Sequence, residues 1–326
     1  MRAAALDAFG GPERLRLQSV PVPEAGAGEV LIRLHTAGVA VWDVAEREGA
    51  FVGMMDHAPA FPYVPGSDGS GTVVALGAGV DHVAVGDEVV ALTWLGAKGG
   101  FYAEFGVAKA THTVRLPRGL SLEEGGAFGV SAVTALIGLR DVLALKAGDA
   151  LLVLGASGGV GHVALQFATR IGARVLAVAS GADGVALAES LGADAVVDGH
   201  DGDLAAAIRA FAPDGLDAAL LFAHPAGLEV VLGAVRSGGR VAWPTGVAPV
   251  TETPEGVEGT SFTYSPGVTE RLLADATRLV EAEARVPFRV HVAQTFGLAD
   301  AAAAQQALGG HVLGKVVLSV SDAVGH

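Results

Sequence analysis

The architecture of this chain is announced by residues 150–168, Ala150-Leu-Leu-Val-Leu-Gly155-Ala-Ser-Gly-Gly-Val-Gly161-His-Val-Ala-Leu-Gln-Phe-Ala168. Ala150 to Leu154 is a short apolar run, as expected of a parallel strand covered on both faces. Gly155, Ala156, Ser157, Gly158, Gly159, Val160 and Gly161 form a glycine-rich turn, and apolar residues then recur at helical spacing through Val163, Phe167 and Ile171. Strand, glycine turn and helix in this order form the setting in which a glycine fingerprint binds a dinucleotide. Without a Cβ, Gly158 lets a diphosphate approach the backbone, and Gly161 lets the helix lie close to the strand. The first helical N–H groups and the helix dipole then face the anion. Ala156 replaces the first glycine of the usual G-x-G-x-x-G, so the spacing is imperfect and its context carries the argument.

From residue 121 onward strands and helices alternate: strands at 151–154, 174–179, 195–197, 216–222 and 240–243, with helices between them and a sixth strand near 259–264. This is the pattern of βαβ units and a doubly wound parallel sheet. Ser121-Leu-Glu-Glu124 reads as a capping box. Residues 1–122 are β-rich, with strands expected at 29–35 (ended by Gly38), 71–76, 88–92 and 112–116, and a helix at 41–48. The last sixty residues return to mixed structure and are expected to fold back onto the N-terminal lobe. The fold class is therefore α/β, divided as 1–122, 123–266 and 267–326.

Composition narrows the function. The 326 residues are 51% hydrophobic and 17% charged, with a formal net charge of −14 and no basic block, which argues against nucleic acid or an anionic membrane as partner. There is no cysteine, which excludes disulfides, thiolate–zinc sites, iron–sulfur clusters and thiol catalysis. No apolar run approaches the ~20 residues of a membrane helix. A soluble, cytoplasmic protein is expected.

Pro65-Gly-Ser-Asp-Gly-Ser-Gly71-Thr-Val, Gly77-Ala-Gly-Val, Val85-Gly-Asp-Glu-Val, the turn at 155–161, Leu191-Gly-Ala-Asp194, Ser237-Gly-Gly-Arg240 and Gly310-His-Val-Leu-Gly-Lys-Val-Val-Leu318 occur in one order. Together they resemble the medium-chain dehydrogenase/reductase superfamily, in its zinc-free quinone oxidoreductase branch, over nearly the whole chain. The resemblance implies a GroES-like lobe, a Rossmann lobe between its two parts, and a cleft where they meet. Zinc-dependent relatives carry Cys and His ligands where this chain has Ala40 and Ser67, so no catalytic metal is expected. Without a Lewis acid, quinones and α,β-unsaturated carbonyls are the accessible acceptors, because conjugation spreads the charge that hydride brings.

The strand end at 177–180 reads Ala-Val-Ala-Ser, with no acid to bind a ribose 2′-hydroxyl, so NADPH is favoured and NADH is possible. Ser180 can donate to a 2′-phosphate, although Gly184 and Gly199 replace a lysine and a tyrosine of the family. His200 either flanks the adenine or is a surface histidine. The resemblance adds Thr245, Gly246, Phe262, Tyr264 and Lys315 to the cofactor set. It also places Thr134 near the nicotinamide and Asp43 and Asp68 in the cleft; the alternatives are a threonine bonding its own helical turn and carboxylates bracing loops. Trp42, Phe51, Tyr63, Trp94 and Tyr264 either line an apolar cleft or belong to the core. Specificity is expected in the loops at 51–61, 94–101 and 245–264. The implied activity is NADPH-dependent reduction of a quinone or conjugated carbonyl by a homodimer. An enoyl-thioester reductase and a catalytically silent NADP-binding scaffold or sensor stay open.

Overall fold

A computed structural model of the chain describes residues 1–223, 227–247, 250 and 252–320; positions 248, 249 and 251 of the expected specificity loop lie outside them. Two compact units emerge. One holds Met1–Val130, Pro266–Ala274 and the chain from Val290 onward, and the other holds Ser131–Ser265 and Asp275–Arg289.

The first unit opens with β1 (Arg2–Leu6) and β2 (Leu15–Ser19), an antiparallel pair. There follow β3 (Glu29–Val39), α1 (Val41–Arg47), β4 (Asp68–Leu76), β5 (Glu88–Leu92), β6 (Phe105–Lys109), β7 (Thr113–Arg115) and α2 (Leu122–Gly125). Val30, Ile32 and Leu34 of β3 are buried while Arg33 is exposed, the alternation of a strand with one face on a core. β3 does not stop at Gly38 as expected: it runs to Val39 because a C-terminal strand pairs with it there, Val317 opposite Gly38 and Val316 opposite Val39. A Cβ on Gly38 would lie 2.7 Å from the Gly126 carbonyl oxygen, so this glycine serves a close approach rather than a strand end. The expected capping box is formed: the Glu124 amide donates to Ser121 Oγ, and the Ser121 amide donates to Glu124 Oε2.

α3 (Gly129–Leu136) continues into a π-helical segment, Ile137–Val142, and leads into the second unit. There β8 (Ala150–Leu154), α4 (Gly161–Ile171), β9 (Arg174–Ala179), α5 (Gly181–Ser190), β10 (Ala195–Asp198), α6 (Leu204–Phe211), β11 (Leu216–Leu221), α7 (Leu228–Gly233), β12 (Val235–Pro244) and β13 (Glu258–Phe262) alternate. The sheet is parallel throughout, in the order β10-β9-β8-β11-β12-β13. Strand order therefore reverses between β8 and β11, the place where doubly wound sheets open a ligand crevice. Every residue of β8 is buried, as its apolar run requires.

The remainder is α8 (Pro266–Glu281), β14 (Val292–Gly297), α9 (Ala301–Ala307) and β15 (Lys315–Ser319). β15 adds β14 to the sheet of the first unit, in the order β14-β15-β3-β4-β5-β7 with β6 also on β3. The C-terminal stretch thus completes the N-terminal lobe through main-chain pairing.

Candidate functional site

The glycine turn sits at the carboxyl end of β8, beside the point where strand order reverses. Gly155 has φ +76°, and a Cβ on Gly161 would lie 2.0 Å from the Gly155 carbonyl oxygen, so the start of α4 can touch the turn only as glycine. A Cβ on Gly158 would meet only the Gly155 carbonyl oxygen, at 3.3 Å, which leaves the backbone open on that side. The amides of Gly155 and Ala156 donate to the Val178 carbonyl, whereas those of Ser157, Gly159 and Val160 have no acceptor among the described residues. Open amides at a helix N-terminus are what a diphosphate needs. Two side chains hold the turn from behind. Ser157 Oγ accepts from the Ser180 amide at 3.3 Å, tying the ends of β8 and β9. Buried His162 places Nδ1 2.8 Å from the Gly158 carbonyl oxygen, which also accepts from the His162 amide. The sequence offered little sign of His162, since a histidine after the last glycine reads as an ordinary helical residue.

All but one of the expected cofactor residues lie at or past the carboxyl ends of these parallel strands. Ser180 stands at the N-cap position of α5 after β9, its side chain making no capping bond, and His200 follows β10 with its ring largely exposed. The Asp198 carboxylate accepts from the amides of Gly181 (3.2 Å) and His200 (2.9 Å), and these bonds hold its pKa below the ordinary value. A carboxylate therefore stands one residue from Ser180, though it comes from β10 and not from the end of β9. Thr245 follows β12; its amide donates to the Phe262 carbonyl at 2.6 Å and its hydroxyl donates to the same oxygen at 3.2 Å. Gly246 has φ +98° with open space around its Cβ position, and Phe262 is buried against Gly138. Tyr264 lies just beyond β13 and is half-buried, as is Thr134 on α3.

Lys315, the exception, lies at the start of β15 in the other unit and is buried. There it acts electrostatically on Asp43 and Asp68, both buried. Asp43 Oδ2 accepts from the Ala40 amide at 2.8 Å, closing the first turn of α1, and from the Tyr102 hydroxyl at 3.0 Å. Asp68 Oδ1 accepts from the Val130 amide at 3.2 Å, while Oδ2 is buried with no partner among the described residues. Burial pushes Asp43 up to about 6 and Asp68 up to about 7, against the opposing pull of their hydrogen bonds and Lys315. Glu46, one turn after Asp43, joins them, and the sequence did not single it out. Beside this group, Trp42 stacks on Phe51 (4.0 Å between centroids, 15°) and lies 4.4 Å from Trp94. Tyr63 is buried and its hydroxyl donates to Glu46, so it belongs to the interior of the lobe.

Among the described residues no group of three or more His, Cys, Asp or Glu is placed to hold a metal ion. Among the described residues no helix is long and apolar enough to cross a membrane.

Residues 26–118 match the family described as the alcohol dehydrogenase GroES-like domain, and residues 159–260 match the zinc-binding dehydrogenase family. The chain is 35% identical over 243 residues to a rat quinone oxidoreductase, covering 74% of this chain and 72% of the relative. This chain belongs to the quinone oxidoreductase branch of the medium-chain dehydrogenase/reductase superfamily. Members of this branch are oxidoreductases, and solved structures agree with the fold. A mycobacterial protein complexed with NADPH is 30% identical with a TM-score of 0.80, over 98% of this chain and 100% of that one. An NAD-dependent alcohol dehydrogenase is 32% identical with a TM-score of 0.84, over the same shares.

Proposed function

We propose that this oxidoreductase transfers hydride from NADPH, and less efficiently from NADH, to a quinone or another α,β-unsaturated carbonyl. The observation that carries the reading is the glycine turn at 155–161, whose open amides and missing Cβ atoms form a cradle for a diphosphate at the strand-order reversal. Ser180 takes the 2′-phosphate, His200 the adenine edge, and Thr245, Gly246, Phe262 and Tyr264 the nicotinamide end. When bound, the cofactor supplies a hydride; a proton from the protein or water completes reduction of a quinone to its hydroquinone.

The chain's own residues then have three tasks. Thr134 offers a hydroxyl to the carboxamide. Asp68, which burial pushes up to about 7 so that it is partly protonated at neutral pH, is the candidate proton reservoir. Asp43 and Lys315 set its charge, Lys315 acting there rather than on the phosphates. Ala40 and Ser67 provide no zinc ligands, which suits acceptors that stabilise incoming charge by conjugation. The exposed edge strand β13 supports a homodimer built by pairing two such edges.

Steady-state assays of NADPH oxidation against benzoquinones, naphthoquinones, enones and crotonyl thioesters test the reading. Turnover of the quinones and enones above the thioesters is expected. Preference for the thioesters would make the protein an enoyl-thioester reductase, and calorimetric NADPH binding without any turnover would make it a scaffold.

A further inference from the structure

Between Arg174 and Arg209 the sequence contains no lysine or arginine. The carboxyl ends of β9 and β10 lie inside this interval, so the charged groups beside Ser180 are acids. Asp198 Oδ1 accepts from the Gly181 and His200 amides, at 3.2 and 2.9 Å, which leaves Oδ2 uncommitted among the described residues. Asp183, in the first turn of α5, acts on Asp198 electrostatically and bonds the Gly184 amide through Oδ1. Asp203 caps α6 through the Ala206 amide, and Asp201 is exposed just ahead of it. The flanking arginines are engaged elsewhere: Arg174 donates to the Phe211 carbonyl, and Arg209 sits in the last turn of α6.

One side chain in this interval can become a cation. His200 places Nδ1 3.8 Å from Asp198 Oδ1, beyond hydrogen-bond reach, with its ring largely exposed. The ring is close enough to feel the carboxylate and can still turn a nitrogen toward a ligand. Ser180 makes no capping bond with its side chain and can donate its hydroxyl to the same ligand. A 2′-phosphate brings about two negative charges and needs a cation to offset Asp198 and Asp183. A ribose 2′-hydroxyl needs only an acceptor, which Asp198 Oδ2 provides.

We propose that His200 is the specificity-determining residue of this rim: protonated, it offsets Asp198 and binds a 2′-phosphate beside Ser180; neutral, it leaves Asp198 to accept from a 2′-hydroxyl. The balance between NADPH and NADH then shifts toward NADH as pH rises, because histidine ordinarily loses its charge across the neutral range. This gives a second task to the histidine set against the adenine edge, and it rests on the reading above that the 2′-phosphate lies at Ser180.

The test is calorimetric binding of NADP+ and NAD+, neither of which can give hydride, near pH 6 and near pH 8. In the wild type the preference for NADP+ should fall about tenfold between the two. His200→Asn, at an exposed position, should bind NADP+ more weakly near pH 6 and lose that fall. His200→Lys should hold the preference high at both values. The phosphate's own second ionisation is common to all three proteins, so the difference between wild type and variants isolates the histidine. In proton NMR the His200 ring signal, assigned by its loss in His200→Asn, should titrate at higher pH with NADP+ bound than with NAD+ bound. A preference whose pH dependence is the same in the wild type and in His200→Asn overturns the inference while leaving the cofactor site in place. If neither nucleotide binds, the reading of the cradle falls and the inference falls with it.

Discussion

Gly161 is the residue at which the phosphate cradle is most exposed to test. A Cβ there would lie 2.0 Å from a backbone oxygen, which no side-chain movement can relieve. Gly161→Ala is expected to weaken NADPH binding at least tenfold by calorimetry and to lower the melting temperature. Asp198 tests the other end of the cofactor. Its carboxylate is fixed by the Gly181 and His200 amides, one residue from Ser180, where like charge opposes a 2′-phosphate. Asp198→Asn should raise the ratio of kcat/KM for NADPH to that for NADH several-fold; a ratio unmoved would place the phosphate elsewhere. The conformation of the glycine turn was legible because its demands are local, met within a strand, a turn and a helix start. Asp198 and Glu46 were not, since each acts through a partner that only the fold brings near; His162 was not, because its local bond to Gly158 has no residue pattern that marks it. Glu46 meets Tyr63 across seventeen positions of sequence.

Among the elements, β8, β9 and the turn between β8 and α4 were readable because a buried parallel strand is an unbroken apolar run and a glycine-rich turn has few other uses. β5 was equally plain. β1, β2 and β6 carry no comparable signal: β1 is mostly alanine, Leu15 is the only buried residue of β2, and β6 opens Phe-Gly, so neither alternation nor a run of large apolar residues marks them. The expected end of β3 failed for a related reason. Gly38 looks like a terminator locally, yet the partner strand that carries β3 past it lies nearly 280 residues away. The edge strand β13 gives the prediction at this scale. Ser261 sits opposite Trp243, and since the Phe262 carbonyl faces β12 the alternate Ser261 N–H faces the free edge, where proline removes an outward donor. Ser261→Pro should shift the protein from dimer to monomer in sedimentation; a monomeric wild type would contradict pairing through this edge.

For the molecule as a whole, the buried carboxyls set the pH dependence of stability. Asp43, Glu46 and Asp68 have folded-state values near 6, 7 and 7, raised from 3.8, 4.5 and 3.8. Their neutral forms are favoured by folding, so the stability they contribute is complete below about pH 4 and is lost as pH rises toward 7. The carboxylates held low, such as Glu29, Glu104 and Asp217, act in the opposite sense but have finished titrating below pH 5. The melting temperature should therefore be several degrees lower at pH 8 than at pH 5, and a stability that rises over this range would show the three carboxyls ionised when folded. The two-lobed plan was legible from the switch in texture near residue 121, and the return of the tail to the first lobe follows from the strand at 315–319. The charge balance inside that lobe was not legible, because it depends on three carboxyls and Lys315 converging from α1, β4 and β15.

The most direct test is a single-turnover experiment in which protein preloaded with NADPH is mixed with a naphthoquinone and loss of the reduced nicotinamide is followed by stopped flow. Rapid oxidation in the wild type, slowed at least tenfold by Gly161→Ala at the same NADPH concentration, is the predicted result. Oxidation no faster than in a protein-free control would contradict the account.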